Sequence, residues 1–341
     1  MHTLDAPARA GGGRSFSRLN AVPGNRIADL VTDLARLKDQ QQDIKVNTRE
    51  LAVAPVDGSL MVGGNERFKL REHAFGQLCA KLQVPANYAR RCDAGLRAQN
   101  INRWLREDDR NLLLRIEGGE VRAVLSSTYR PINHLDVLTC LSDRLGGDVP
   151  IRYELNDQYL DLQVVRESPV HSLADRGREG LHRGLHLRNS EVGSARVQIS
   201  TLVYRSICLN GLILSSGRWT YSRRHVGKAD IAEQVRDAFD RAMTLAGKAA
   251  DSFLGTQAIQ VAEPLKVIER IASRYELTKP EHEATNRAFE IEPGETLYAV
   301  INSLTRAGND DELALDSRHR LQELGGRLTT LASEGQRWLD N

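Results

Sequence analysis

The chain changes texture at Ala229. Before that point, short apolar runs with turn residues between them alternate with brief helical patterns; after it, helical periodicity dominates to the end. A strand repeats its side-chain direction every two residues and a helix every 3.6, so the two textures require different architectures. Helices, then antiparallel strands, then helices describe an α+β fold: central antiparallel β-hairpins flanked by N-terminal helices and a C-terminal helical region. A doubly wound parallel sheet would need strands and helices in regular alternation.

Local signals place the elements. Ile27, Leu30, Val31, Leu34 and Leu37 lie on one face of a helix, and a second helix spans 72–82. Pro85 opens a third, short helix that runs to Arg91, since proline suits a first helical turn. Residues 46–62 read as extended, with a turn at Asp57-Gly58. Glu117-Gly118-Gly119-Glu120 joins two apolar strands, 111–116 and 121–125, into a hairpin. Asn133 is the N-cap of a helix that ends at Gly146-Gly147. A second hairpin spans 151–165 and folds at Asn156-Asp157; residues 166–180 read as a polar loop. Strands resume at Leu185, 197–207, 212–214 and 219–222, with a turn needing positive φ at Asn210-Gly211. Helices are expected over 231–254, 264–275, 280–290, 295–305 and 316–331. Three regions result: a flexible arm over 1–18, a core over 19–228 that includes a basic strand segment at 170–228, and a helical region over 229–341.

Charge divides the chain along the same boundary. The net charge is only +2, yet residues 170–228 hold ten Lys and Arg against three acids, and residues 229–341 hold thirteen against twenty. A local basic surface points to an anionic polymer, nucleic acid first. Arg205, Arg218, Arg223, Arg224 and Lys228 are the candidate phosphate contacts, and Trp219 and Tyr221 can stack bases, which favours single-stranded DNA. The competing reading docks the basic strands onto the acidic helices, within the chain or between subunits, and leaves Trp219 and Tyr221 as core.

Enzyme signals are thin. Glu191, in Asn189-Ser-Glu-Val-Gly-Ser194, is the best acid candidate for a metal-dependent nuclease or hydrolase, acting with Asp161 or His186; the same polar residues also suit a tight connection between strands. His182 and His186 are four apart, but Gly180 and Gly184 argue for a strand, where that spacing is roughly 13 Å and cannot share one ion. Cys208, between Ile207 and Leu209, reads as a buried structural cysteine. No Walker, GxSxG or kinase motif appears, so neither a cofactor nor a metal is expected. Four scattered cysteines without a CxxC pair fit a reducing cytoplasm, and no apolar run can cross a bilayer.

Tyr129-Arg-Pro-Ile-Asn-His, Asn189-Ser-Glu-Val-Gly, Cys208-Leu-Asn-Gly, Arg224-His-Val-Gly, Asn302-Ser-Leu-Thr-Arg and Arg318-His-Arg-Leu-Gln-Glu-Leu-Gly-Gly together resemble the phage/plasmid-like protein family, catalogued as domain of unknown function 932. The resemblance covers roughly residues 45–335. It assigns no activity and no residue roles, but it implies a protein of a mobile element, for which a nucleic-acid task such as strand annealing in recombination, carried out by a homo-oligomer, is the leading expectation. An oligomeric structural or anti-host protein is the alternative outside enzymology.

Overall fold

The computed structural model describes residues 25–172, 180–205, 210–215, 217–226 and 231–338. Among them are ten α-helices and twelve strands in two sheets, the α+β class that the sequence implies.

The first sheet is built from β1 (Gln41–Asn47), β2 (Leu51–Val53), β3 (Leu60–Val62), β4 (Glu66–Leu70), β5 (Asn111–Glu117) and β6 (Glu120–Ser126), in the order β1-β5-β6-β4-β3-β2. All its pairings are antiparallel except β4 with β6. The β5–β6 hairpin turns on Gly118 and Gly119 with φ of 58° and 81°, values that residues with a Cβ rarely adopt. Strand alternation sends Leu112, Leu114 and Ile116 to one face, where they share a core with Leu78 of α2 (Glu72–Lys81) and with Ile101 and Leu105 of α4 (Ala94–Glu107). The helix α3 (Ala86–Arg91) adds Ala89 to that core. The sequence patterns above do not anticipate α4. Its Asp93 N-cap, which accepts from Leu96 N–H, is the available signal.

The second sheet runs β11-β10-β9-β8-β7, with β12 beside β11 on the same edge of β10. Its strands are β7 (Ile151–Leu155), β8 (Leu160–Ser172), β9 (Gly180–Asn189), β10 (Val197–Arg205), β11 (Asn210–Leu214) and β12 (Thr220–Arg223). Two expectations change here. Strands β8 and β9 extend through most of the segment read as a polar loop, because they pair on to Ser172 and Gly180. Asn210-Gly211 is not a turn: Gly211 lies in β11 opposite Tyr204, and its φ is not positive. Cys208 falls outside the described residues.

Both faces of this sheet are covered. Leu185, Leu187 and Ile199 pack on Ile27 and Leu30 of α1 (Ile27–Lys38), Leu138 and Leu141 of α5 (His134–Leu145), and Phe239 of α6 (Ile231–Gly255). Farther along the chain come α7 (Pro264–Arg274), α8 (Lys279–Ile291), α9 (Leu297–Ala307) and α10 (Leu315–Ser333). Val300 and Ile301 of α9 and Leu321 of α10 join Leu181, Val203 and Leu212 in one cluster, so the C-terminal helices share a core with the sheet. The helix α10 crosses the opposite face so closely that a Cβ at Gly326 would collide with the Ile213 carbonyl. No helix among the described residues is long and apolar enough to cross a membrane.

Candidate functional site

The second face of the first sheet meets the β9–β10 connection, residues 190–196, at Glu191. The bulge between Arg115 and Ile116 lets Arg115 and Arg122 share this face. Arg122 makes an ion pair with Glu191 Oε2 at 2.9 Å and donates to Glu117 Oε2 at 2.9 Å. Arg115 donates to Asp43 at 2.9 Å, to Asn133 at 2.8 Å and to the Glu191 carbonyl at 3.0 Å. The His134 backbone N–H donates to Glu191 Oε1 at 2.6 Å, which places the carboxylate at the N-terminus of α5, where a negative charge is favoured. Asn189 donates to the Ile132 carbonyl, and the Tyr129 hydroxyl donates to the Ser190 carbonyl at 3.1 Å. The Tyr129 ring stacks on His225 with centroids 5.0 Å apart. Three segments distant in the chain, around Tyr129–His134, Asn189–Gly193 and His225, therefore converge on one point.

A cleft of about 580 Å³ opens beside this junction, lined by Arg71, Glu117, Arg122, His134, Tyr159 and Glu191 among others. Its chemistry is that of locked charges. Burial opposes ionisation of Glu191, but His134, Arg122 and Arg115 outweigh it and hold the carboxyl at about 2. Burial lowers His134 and His225 to about 4 each. A general base works best with a pKa near the working pH, so Glu191 reads as a structural ion-pair partner. It makes no bond to Asp161 or His186, and the catalytic grouping weighed from the sequence does not assemble.

The basic segment divides into interior and surface. Arg205 is 3% exposed and grips Glu292 through two bonds, at 2.8 and 2.5 Å. It thus joins a basic strand to the acidic helical region, the docking that was the competing reading, and is a correction to its place among phosphate contacts. Trp219 is 2% exposed in the C-terminal core, so its faces are covered and the stacking role assigned to it is also corrected. Tyr221 is half-buried and its hydroxyl donates to Gln234 at 2.9 Å. Arg223 is half-buried and reaches the same Gln234 oxygen. Arg218 and Arg224 are exposed, with Arg218 over the Trp219 ring at 4.5 Å. Lys228 lies outside the described residues. Arg196, next to the Val197–Arg223 pair, is exposed as well. None of Arg196, Arg218, Arg223 and Arg224 has a carboxylate partner among the described residues.

A second buried polar seam lies between the second sheet and α10. His186 on β9 meets Asp161 on β8, Nε2 to Oδ1 at 2.9 Å, and His319 on α10 faces the other oxygen, Nδ1 to Oδ2 at 3.5 Å. His319 Nε2 lies 3.3 Å from Glu323, which also accepts from Gln198 at 2.8 Å. Gln163 donates to Gln322 at 3.0 Å. Burial holds the His186 imidazole below its usual pKa, against the pull of Asp161. Burial likewise opposes the Asp161 charge, yet His186, His319 and Arg188 outweigh it and keep that carboxyl well below the ordinary range. His182 takes no part, as its strand spacing from His186 requires. His319 does not stand out in the sequence because no short motif links it to Asp161.

The fold and these seams define a mixed α+β protein whose two sheets are tied together by buried charged side chains. No protein-family model, no curated protein and no solved structure matches the chain.

Proposed function

We propose that the chain is a nucleic-acid-binding protein that holds single-stranded DNA along the β12 edge. The observation that carries this reading is the set of arginines without carboxylate partners among the described residues: Arg196, Arg218, Arg223 and Arg224 lie on or beside one short strand. Elsewhere, acids neutralise the buried arginines Arg115, Arg122, Arg188 and Arg205. Guanidiniums without a carboxylate partner suit phosphate, and half-buried Tyr221 lies beside Arg223 on the same strand. Duplex readout would call for an element shaped to the major groove, whereas an edge strand with flanking arginines suits a flexible backbone. The resemblance to phage/plasmid-like proteins agrees with a task on mobile DNA, and annealing by a homo-oligomer is the form we favour.

Fluorescence anisotropy of labelled single-stranded and duplex DNA at two salt concentrations tests this reading. Tight, salt-sensitive binding to single strands is expected. Replacing Arg223 and Arg224 together by Ala should lower affinity and flatten the log–log salt slope by about 1.4, at roughly 0.7 for each phosphate no longer neutralised. Absence of binding at low salt, or an unchanged slope in the double variant, overturns the assignment.

A further inference from the structure

We propose that Asp161, His186 and His319 form a binding site for a first-row divalent transition metal, zinc in the first instance, which clamps α10 onto the second sheet.

The argument starts from atoms that lack partners. Asp161 Oδ2 and His319 Nδ1 are buried, face each other at 3.5 Å, and neither makes a hydrogen bond. Buried polar atoms are nearly always satisfied, so two orphans facing one another mark a missing partner between them. One potential ligand atom from each of the three residues lies within 4.8 Å of the other two. Ligands on a tetrahedral ion with bonds of 2.0–2.1 Å are about 3.3 Å apart; His186 Nε2 lies 2.9 Å from Asp161 Oδ1 and His319 Nδ1 lies 3.5 Å from Asp161 Oδ2, so each imidazole approaches a different oxygen of the one carboxylate at close to that spacing.

The surroundings complete the pattern. If His319 binds through Nδ1, its Nε2–H points at Glu323, the carboxylate–histidine–metal arrangement that fixes the tautomer and raises the basicity of the ligand. Glu323 is itself held by Gln198. A cavity of about 40 Å³ adjoins the cluster, bordered by Asp161, Gln163, Arg318, His319 and Gln322, and it has room for a water as a further ligand. The nearby guanidiniums are already engaged, Arg188 with Asp316 and Arg318 with Glu154, so each brings its own counter-charge. Two imidazoles with one carboxylate select zinc and its neighbours over magnesium or calcium, which prefer oxygen ligands. All three residues are buried, and they come from β8, β9 and α10, so a shared ion would join helix to sheet.

The test uses the full chain without a histidine tag, stripped of metal and titrated with Co²⁺ and then Zn²⁺. One equivalent of Co²⁺ per chain is expected, with visible d–d absorption that Zn²⁺ abolishes, and a rise in Tm on metal addition. Glu323→Gln leaves all three ligands in place and should weaken binding about 10- to 100-fold. His319→Ala should remove the equivalent. Should these variants fail to fold, proton NMR of the Co²⁺-loaded native chain decides: two ligating imidazoles give two strongly shifted exchangeable N–H signals. Failure to take up one equivalent, absence of those signals, or unchanged affinity in both variants overturns the proposal.

Discussion

The two buried seams of this protein solve the same problem with different partners. At the Glu191 junction, carboxylates meet guanidiniums: Arg115 is matched by Asp43, and Arg122 by Glu117 and Glu191. Under α10, carboxylates meet imidazoles: Asp161 faces His186 and His319, and Glu323 faces His319. An arginine is always charged and only donates, so a carboxylate that it holds is neutralised for good. A histidine has a lone pair that can bind a cation, so a carboxylate flanked by histidines stays available. The first seam is a lock, while the second has the chemistry of a ligand site.

The largest effect that separates them is expected at Glu191. Glu191→Ala leaves Arg122 with Glu117 alone and the His134 N–H without its acceptor, and should cost about 3–5 kcal/mol in urea unfolding, the range for breaking a buried ion pair from one side. A loss under about 1 kcal/mol would mean that the junction is hydrated and not locked.

Acid should open the same junction in two stages. His134 and His225 are held neutral, with folded values of about 4 against ordinary values near 6.5. Because the unfolded state binds their protons first, their contribution is present above about 6.5 and is lost as pH falls from there toward 4. The folded value for Glu191, about 2, is depressed, so its contribution is present above about 4.5 and disappears as pH falls from there toward 2. Tm measured against pH should fall through both windows, and His225→Asn should flatten the upper one. A Tm that is flat between pH 6.5 and 4 would contradict the burial of these imidazoles.

At the other seam, Asp161→Asn keeps the shape and removes the charge. In metal-free protein it should cost about 1–3 kcal/mol, the range for disturbing one buried polar group, and so less than Glu191→Ala. An equal cost in both variants would erase the distinction between the two seams. The smallest effect is expected at the surface, where Arg224→Gln should change stability by less than about 0.5 kcal/mol. Arg205→Gln, by contrast, breaks a buried bidentate pair and should be several-fold more costly in the same unfolding assay.

Much of the architecture is readable from the chain. The Glu117-Gly118-Gly119-Glu120 turn, the apolar stripe from Ile27 to Leu37 and the long C-terminal helices all appear where periodicity and turn chemistry put them. The helix α4 is hard to see although Asp93 caps it, because its apolar face is narrow: Ala98, Ile101 and Leu105 are its buried residues. At Asn210-Gly211 the turn chemistry misleads, since Gly211 serves close strand packing against Leu202 and Gln163. Glu191 is legible as a special acid but not as a locked one, because its partners Arg115 and Arg122 lie on another sheet.

By itself, then, the sequence determined most of the element types, the α+β class and the segregation of basic strands from acidic helices, since all three follow from spacing and composition over short windows. Tertiary structure alone decided which charges went inside. Arg205 and Arg224 are alike in the chain, yet one meets Glu292, 87 residues away, and the other faces solvent. The same holds for His319, which no local pattern connects to Asp161. Burial and ion pairing depend on which faces the sheets and helices turn toward each other, and that is set by packing of the whole core rather than by any neighbouring residue.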